Sequence, residues 1–480
     1  MQFSNQHYHP NKILFFHLDA VYDMHGIVQK WHRPEKHPAV LKPDRTWEGD
    51  MALPESMFPH YDGQKIVGLY SCHHHPSRFP ELVNAGYKQV NCLAESTDGL
   101  HWTKPDVGAV EFQGSRSNNI VPGHLYRTIL DPRDPDPQRR YKGIALLWPD
   151  AFPAGRIEDQ RRGRCFYSAT SPDAIHWSTP RRMEGFEETG DTDAISYDDR
   201  RQLYLVTTRK RGYWLSEAYP EFYKRPIKKG MPDGRWVALA TSHDFATWTE
   251  LDNIIVRDAA DEAGLDFYCA CIFPYGDLYI GFLRRHHGWH GLMDTELIWS
   301  RDGLRWNRSW NRQPFVSWGE LGDDDWCFGD VLNSQPIRSG NRLLIAYEAR
   351  EHVHGPHNNR TRGLPGYDGH MGMATLRVDG FVSLEAGRMG GDLITEPLPL
   401  AGQRVTINAR TVLDGVIEVT LLTADRQTLG KAPLIFRGDS ATFSLEFDGA
   451  KEIPQTESGR VSLGIFLQNA ALYSLTIEKK

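Results

Sequence analysis

The segment ESTDGLHW, Glu95 to Trp102, places a hydroxyl, an Asp-Gly step and a tryptophan close together, and the chain repeats the arrangement. An Asp-Gly step between apolar runs favours a tight strand reversal. Glycine enters positive φ at little cost, and the aspartate accepts hydrogen bonds inside the turn. SATSPDAIHW sets Ser171, Asp173 and Trp177 at the offsets of Ser96, Asp98 and Trp102. LATSHDFATW does the same with Ser242, Asp244 and Trp248, and IWSRDGLRW with Ser300, Asp302 and Trp306. A weaker copy, TLRVDGFVSL, keeps Asp379 and Gly380. Recurrence at this pitch marks an internal structural repeat and outranks any local reading.

Ahead of each turn lies a hairpin: SMFPHYDGQKIVGLYS, YRTILDPRDPDPQRRYKGIALLW, AISYDDRRQLYLVTTR, CACIFPYGDLYIGFLRR and LNSQPIRSGNRLLIAYEAR. Their alternation and turn residues predict two strands each. A third strand leads into the Asp-turn and a fourth returns from it. Five four-stranded antiparallel sheets in succession predict an all-β fold, a five-bladed β-propeller followed by a C-terminal β-sandwich. The repeated tryptophans then act as wedges between neighbouring blades, scaffold rather than chemistry. The propeller is expected over 1–391, with 1–50 packed on it as an N-terminal segment, where LFFHLDAV adds a strand or crosses the mouth. From 392 to 480, short strands such as RVTINAR, VIEVTLLTA and RVSLGIFL alternate without tryptophan, as a small sandwich would.

A net charge of −7 predicts neither a nucleic-acid footprint nor attraction to anionic membranes. No run approaches a membrane span, and MQFSNQHYHPNKILFF lacks the pattern of a secretory signal, so the cytoplasm is the expected location. The six cysteines sit mostly in strand-like apolar runs, which predicts buried free thiols. Fourteen tryptophans and nineteen tyrosines suit packing between sheets first, and stacking against sugar rings second.

In a propeller the first strand of every blade lines the central channel, so residues opening those strands converge on one mouth. The openings carry Glu48, Asp50 and Glu55; then His124, Arg127 and Asp131; then Asp191 and Asp193; then Asp266; then Asp323 to Asp325 and Asp330. Several acids around one channel suit glycosidic bond cleavage, which needs one protonated carboxyl and one ionised. Like charges crowded in a shielded pocket have their pKa values driven apart, which permits that division. Arg127, Arg209 and Arg284 would hold an acid ionised, grip sugar hydroxyls or bind an anion. Three clusters, CHHHP with His73, RRHHGWH with His286 and REHVHGPH with His352, each follow the second strand of a blade. They read as a polar rim that contacts substrate, with a metal or an anion as the open alternatives. No spacing matches a zinc motif, and no cofactor is expected beyond an optional structural metal ion in the channel. The partner is a carbohydrate substrate, with homo-oligomerisation left open.

The chain resembles the propeller proteins related to glycoside hydrolase families 32, 43 and 68, and most of all a bacterial group similar to the family 32 N-terminal domain. The blocks that carry this include FHLDAVYD, HPAVLKPDRTWEGD, AESTDGLHWTKPDVG, DPRDPDPQRRYK, GDTDAISYDD, DTELIWSRDGLRWNR and ATLRVDGFVSLEAG. The family 32 signatures W-M-N-D-P-N-G and E-C-P are absent, and the R-D-P at Arg133 to Pro135 sits in a strand-connecting turn, so no role passes to Asp134. The resemblance implies a glycoside hydrolase with an acid from blade one as nucleophile or base and acids from later blades as proton donor and stabiliser. On this sequence those are Glu48 or Asp50, Asp191 or Asp193, and Asp266. The alternatives are a family 130-like phosphorylase, a non-catalytic glycan-binding propeller and a His/Tyr lyase acting on an acidic polysaccharide.

Overall fold

The computed structural model describes residues 2–49, 51–74, 78–86, 89–123, 127–147, 165–184, 193–211, 234–332, 335–354 and 369–478. Asp50, His124 and Asp191 therefore lie outside the described residues. Contacts divide the chain into two compact units. One comprises Met1–Gln6, Pro34–Pro274 and Tyr279–Thr375; the other comprises His7–Arg33, Tyr275–Leu278 and Leu376–Lys480. The expected single cut near 392 thus differs from the observed grouping, in which the second unit gathers three separate stretches.

The first unit is a five-bladed β-propeller. Blade one pairs Leu53–Pro59, Ile66–His73 and Gln89–Ser96 in order, with Trp102–Thr103 and Ile120–Val121 outermost. Blade two runs Arg127–Leu130, Tyr141–Leu147, Cys165–Ser171 and Arg181–Arg182. Blade three runs Asp193–Asp198, Leu203–Arg211, Arg235–Ser242 and Thr249–Ile255. Blade four runs Leu265–Tyr275, Leu278–His287, Leu292–Ser300 and Asn307–Arg308. In blade five Asp330–Val331 and Ile337–Ser339 both pair with Arg342–Ala349, Phe3–Ser4 pairs with Ile337–Ser339, and His370–Arg377 and Glu35–Leu41 follow on the other side. In each blade the pairings whose register is described are antiparallel.

The last strand of blade five comes from the other end of the chain. Met373, Ala374 and Thr375 pair with His37, Lys36 and Glu35, so the N-terminal segment closes the ring as an edge strand. Pro38 is tolerated there because an edge leaves one row of amides outside the ladder. Lys36 locks the closure, donating to Asp325 Oδ2 at 2.7 Å and to the Ser317 carbonyl at 2.9 Å. This strand is EKHPAVL, not the LFFHLDAV segment suggested by the sequence.

The four full Asp-turns share one geometry. Asp98 Oδ1 accepts from the amides of Leu100 and His101 at 2.8 Å, and Ser96 Oγ accepts from the Gly99 amide at 2.8 Å. Asp173, Asp244 and Asp302 repeat the two-amide grip. The residue after each aspartate is left-handed, with φ of 83° at Gly99 and 71° at Gly303, but 62° at Ala174 and 61° at Phe245.

Trp102 packs with Ile337, Leu344 and Ala346 of blade five. Trp177 packs with Phe58, Val67 and Leu93 of blade one, and Trp248 with Ile129, Ile144 and Phe166 of blade two. Trp306 packs with Leu205, Val237 and Leu239 of blade three. Each tryptophan joins a cluster shared by its own blade and the preceding one, and the Trp102 and Trp306 rings lie on Gly68 and Gly281 of their own blades.

The fifth, degenerate copy does something else. Asp379 is itself left-handed at φ 60° and buried. It accepts from Lys12 Nζ at 2.8 Å, Ser474 Oγ at 2.7 Å and Tyr275 Oη at 3.0 Å, all within the second unit. The copy therefore belongs to the second unit's core and returns no strand to blade five.

In the second unit two long strands, Arg404–Leu422 and Ser462–Glu478, bend at register shifts between Asn408/Ala409 and Thr411/Val416. One half of Ser462–Glu478 pairs with Gly391–Thr395 and the other with Val382–Ala386. Val405, Ile407 and Ala409 are buried in one half, and Ile417, Val419 and Leu421 in the other. Each half buries alternate residues on one face.

Candidate active site

The propeller's innermost strands are neighbours around the ring: the first strand of blade two lies against those of blades one and three. Side-chain hydroxyls join adjacent blades. Ser56 Oγ accepts from the Thr128 amide at 2.9 Å, Ser196 Oγ donates to the Ile272 carbonyl at 2.5 Å, and Thr295 Oγ1 accepts from the Val331 amide at 2.8 Å. On this frame, charged side chains at the strand starts form an alternating series. Arg127, the first residue of its strand, is ion-paired with Glu55 of blade one and lies 3.5 Å from Asp193 Oδ1, the first residue of blade three. Arg284 of blade four grips Asp330, the first residue of blade five, through Nε–H at 2.8 Å and through a second guanidinium nitrogen. Asp330 faces Glu348 across the ladder, and Glu348 is ion-paired with Arg350.

Blade four adds a compact aromatic and ionic group. Asp266, the second residue of its strand, is 3.1 Å from Arg235 and 4.0 Å from His286 Nδ1. The guanidinium groups of Arg209 and Arg235 lie over the Tyr268 ring, 4.4 and 4.8 Å from its centroid. His286 and His354 flank that ring, with 4.8 Å between their own centroids.

Electrostatics separates the two blade-opening acids. Burial raises the Asp193 carboxyl above the ordinary carboxylate range, and the Arg127 and Arg284 charges only partly oppose it. Burial acts the same way on Asp266, but His286, Arg235 and Arg209 outweigh it and hold that carboxyl lowered. Asp193 Oδ2 and Asp266 Oδ1 are buried without a hydrogen-bond partner among the described residues, and so are both ring nitrogens of His286. Burial also lowers His286, so its imidazole is favoured neutral.

Glu48 stands apart from this group. It is fully buried, with Oε2 accepting from the amides of Asp44 and Arg45 and from Lys104 Nζ at 2.7 Å, and Oε1 accepting from Tyr70 Oη at 2.5 Å. Tyr70 and Lys104 belong to the second strand of blade one and to the segment just past its outer strand, not to the axial strand. Both oxygens are occupied, and the carboxylate staples the 44–48 turn to the blade.

His73 ends the second strand of blade one beside this turn, since a methyl group on Gly49 would meet the His73 carbonyl. His352 is buried in blade five, and it is His354 that reaches His286. Arg235, Tyr268 and Glu348 carry no local sequence signal, whereas His354 lies in the REHVHGPH cluster read from the sequence.

Among the described residues, two groups bring metal-ligating atoms together: Glu48 with Cys72 and Cys92, and Asp324 with Glu351 and His370. Neither contains His73, His286 or His352. In the first, both Glu48 oxygens already accept hydrogen bonds, and burial raises the Cys72 thiol above its ordinary value. In the second, Lys42 already occupies Asp324 at 2.9 Å. No helix among the described residues is long and apolar enough to cross a membrane.

No family model matches the chain, and no curated protein does. Solved structures are similar in fold. A glycosyl hydrolase from Bacteroides ovatus shares 13% identity over 72% of this chain and 94% of its own, with a TM-score of 0.44. A β-fructofuranosidase from Bombyx mori shares 11% over 93% of each chain, at 0.42. A protein described among the family 130 mannoside phosphorylases and hydrolases shares 12% over 72% of this chain and 95% of its own, also at 0.42. What the fold defines is a five-bladed β-propeller with buried acids at the openings of its inner strands.

Proposed function

We propose that the chain is a glycoside hydrolase whose reacting bond lies between blades three and four, with Asp193 as general acid and Asp266 as the ionised carboxylate. What supports this is a pair of buried carboxyls near the starts of the inner strands of blades three and four, which their surroundings displace in opposite directions. Glycosidic cleavage needs one acid protonated to assist the departing oxygen, and one ionised to attack the anomeric carbon or activate water. Each has an oxygen with no partner among the described residues, which a substrate oxygen or a water would complete. Arg127 orients Asp193, and Arg235 orients Asp266. Glu48 has no part in the chemistry on this reading, and blade one contributes Glu55 through Arg127 instead.

Release of reducing ends from a panel of oligosaccharides, with and without inorganic phosphate, tests the proposal. Phosphate-independent release that is lost in Asp193→Asn and Asp266→Asn supports hydrolysis; full activity in both variants ends it. Release that requires phosphate would instead make the chain a phosphorylase, the reading kept open by Arg209 and Arg235 beside Asp266.

A further inference from the structure

Blade four carries an exposed tryptophan that the repeat does not use. Trp289 is 70% exposed, whereas the wedge Trp248 is 5% exposed. Its indole is nonetheless fixed. Nε1–H donates to the Ala263 carbonyl at 2.6 Å, and the ring lies on Gly264, where a methyl group would overlap it. Gly264 has φ +81°, so the position favours glycine on backbone grounds as well.

The surrounding loops are stapled to one another. The Gly288 amide donates to the Gly264 carbonyl at 3.0 Å, and His287 is paired with Glu262 and with Asp294. Arg308 reaches Asp261 at 2.7 Å, and Arg312 reaches Asp258 at 2.5 Å. Trp310, 89% exposed, rises from the same Arg308–Arg312 loop. Ion pairs that hold three loops rigid while leaving an indole face in water describe a preformed platform. A flat, fixed aromatic face fits the apolar side of a sugar ring. Gly264 lies two residues before Asp266, and Trp289 three after His286, so the platform adjoins the proposed catalytic group.

We propose that the blade-four rim is a sugar-stacking subsite centred on Trp289, which binds a ring of an oligosaccharide beyond the residue being cleaved. The inference rests on the hydrolase reading for the identity of the ligand, but not on turnover. It assigns the substrate class as a chain of three or more rings rather than a simple glycoside.

The experiment is equilibrium binding of the full chain and of Trp289→Ala to an array of immobilised neutral and uronate-containing oligosaccharides of two to six rings. The wild type is expected to hold trisaccharides and longer chains more tightly than the matching disaccharide. Trp289→Ala should lose about tenfold on the longer chains, the upper end for a single aromatic contact, and nothing on the disaccharide. Its thermal midpoint should be unchanged, and Trp289→Phe should recover part of the loss. Equal binding of long chains by wild type and Trp289→Ala would overturn the subsite, and so would a wild type that retains no glycan. Binding that depends on Trp289 without any hydrolysis would leave the subsite standing and overturn the catalytic reading alone.

Discussion

Asp193 and Asp266 open the inner strands of adjacent blades, yet their surroundings move the two carboxyls in opposite directions. Asp193 is buried among fewer opposing charges; Asp266 has Arg235 at 3.1 Å and Arg209 and His286 nearby. Under the proposed hydrolase mechanism, the expected outcome is a bell-shaped pH dependence of turnover. Its acid limb should follow protonation of Asp266, below the usual carboxylate range, and its alkaline limb deprotonation of Asp193, above that range. Asp193→Asn should abolish the alkaline limb and slow turnover by about 10²–10⁴-fold, the range for a general acid. An unchanged profile in that variant would remove Asp193 from the reaction.

Glu48→Gln separates structure from chemistry. Lys104 is 5% exposed and would lose a buried charged partner, as would the Tyr70 hydroxyl. Breaking one side of a buried ion pair costs about 3–5 kcal/mol. A thermal midpoint lowered by several degrees with turnover intact in the folded fraction is expected; calorimetry and a matched activity assay decide it. Loss of activity at unchanged stability would return Glu48 to the catalytic group.

These two carboxylates show what the sequence could and could not disclose. The Ser-x-Asp turns were legible because their hydrogen bonds are local: Ser96, Asp98 and the Leu100 and His101 amides lie within six residues. Acids opening inner strands were legible for the same reason, since strand starts follow from the turns. Whether such an acid faces the axis depends on distant partners. Glu48 precedes a first strand as a channel acid would, but Lys104 and Tyr70 draw it to the blade's outer side. Likewise Glu35–Leu41 has little alternation and contains a proline, and its partner strand, His370–Arg377, lies at the far end of the propeller sequence. Nothing local marks it as the closing strand.

Removal of residues 1–41 should therefore be far more damaging than loss of a tail. Blade five would keep an uncovered edge at His370–Arg377, and Asp325 would lose Lys36. The truncated chain is expected to show no cooperative thermal transition and to be cleaved by trypsin within the propeller. A cooperative transition near the full-length midpoint would mean that the closing strand is dispensable.

The Asp-turns also predict acid sensitivity. Backbone amides and the neighbouring serine and threonine hydroxyls lower Asp244 to about 2; at Asp98, amides and side chains overcome burial to reach about the same value. A carboxyl depressed in the folded state contributes stability above its unfolded pKa, and loses it as pH falls through the folded value. The thermal midpoint should accordingly fall between about pH 4 and pH 2. Asp244→Ala should lower the midpoint at neutral pH by removing the oxygen that accepts from the Ala246 and Thr247 amides, at no more than about 1 kcal/mol for each bond, and should flatten the decline below pH 4. A decline of unchanged steepness in that variant would assign the acid transition to other carboxylates.

Trp248→Ala tests the wedge against the platform. Trp248 is buried between blades two and three, packed on Phe245 and on the Ile129, Ile144 and Phe166 cluster. Truncation leaves a cavity the size of an indole in a cluster shared by two sheets, lined by Phe166, Tyr204 and Phe245. Loss of such a side chain costs about 3–5 kcal/mol, read as a lower midpoint in denaturant. Because the wedge sits beyond the inner strands, turnover per folded molecule should be retained, the reverse of the pattern expected for Trp289→Ala. A Trp248→Ala protein as stable as the wild type would show that the blade interface is held by its aliphatic residues, and that the repeated tryptophans were kept for something other than packing.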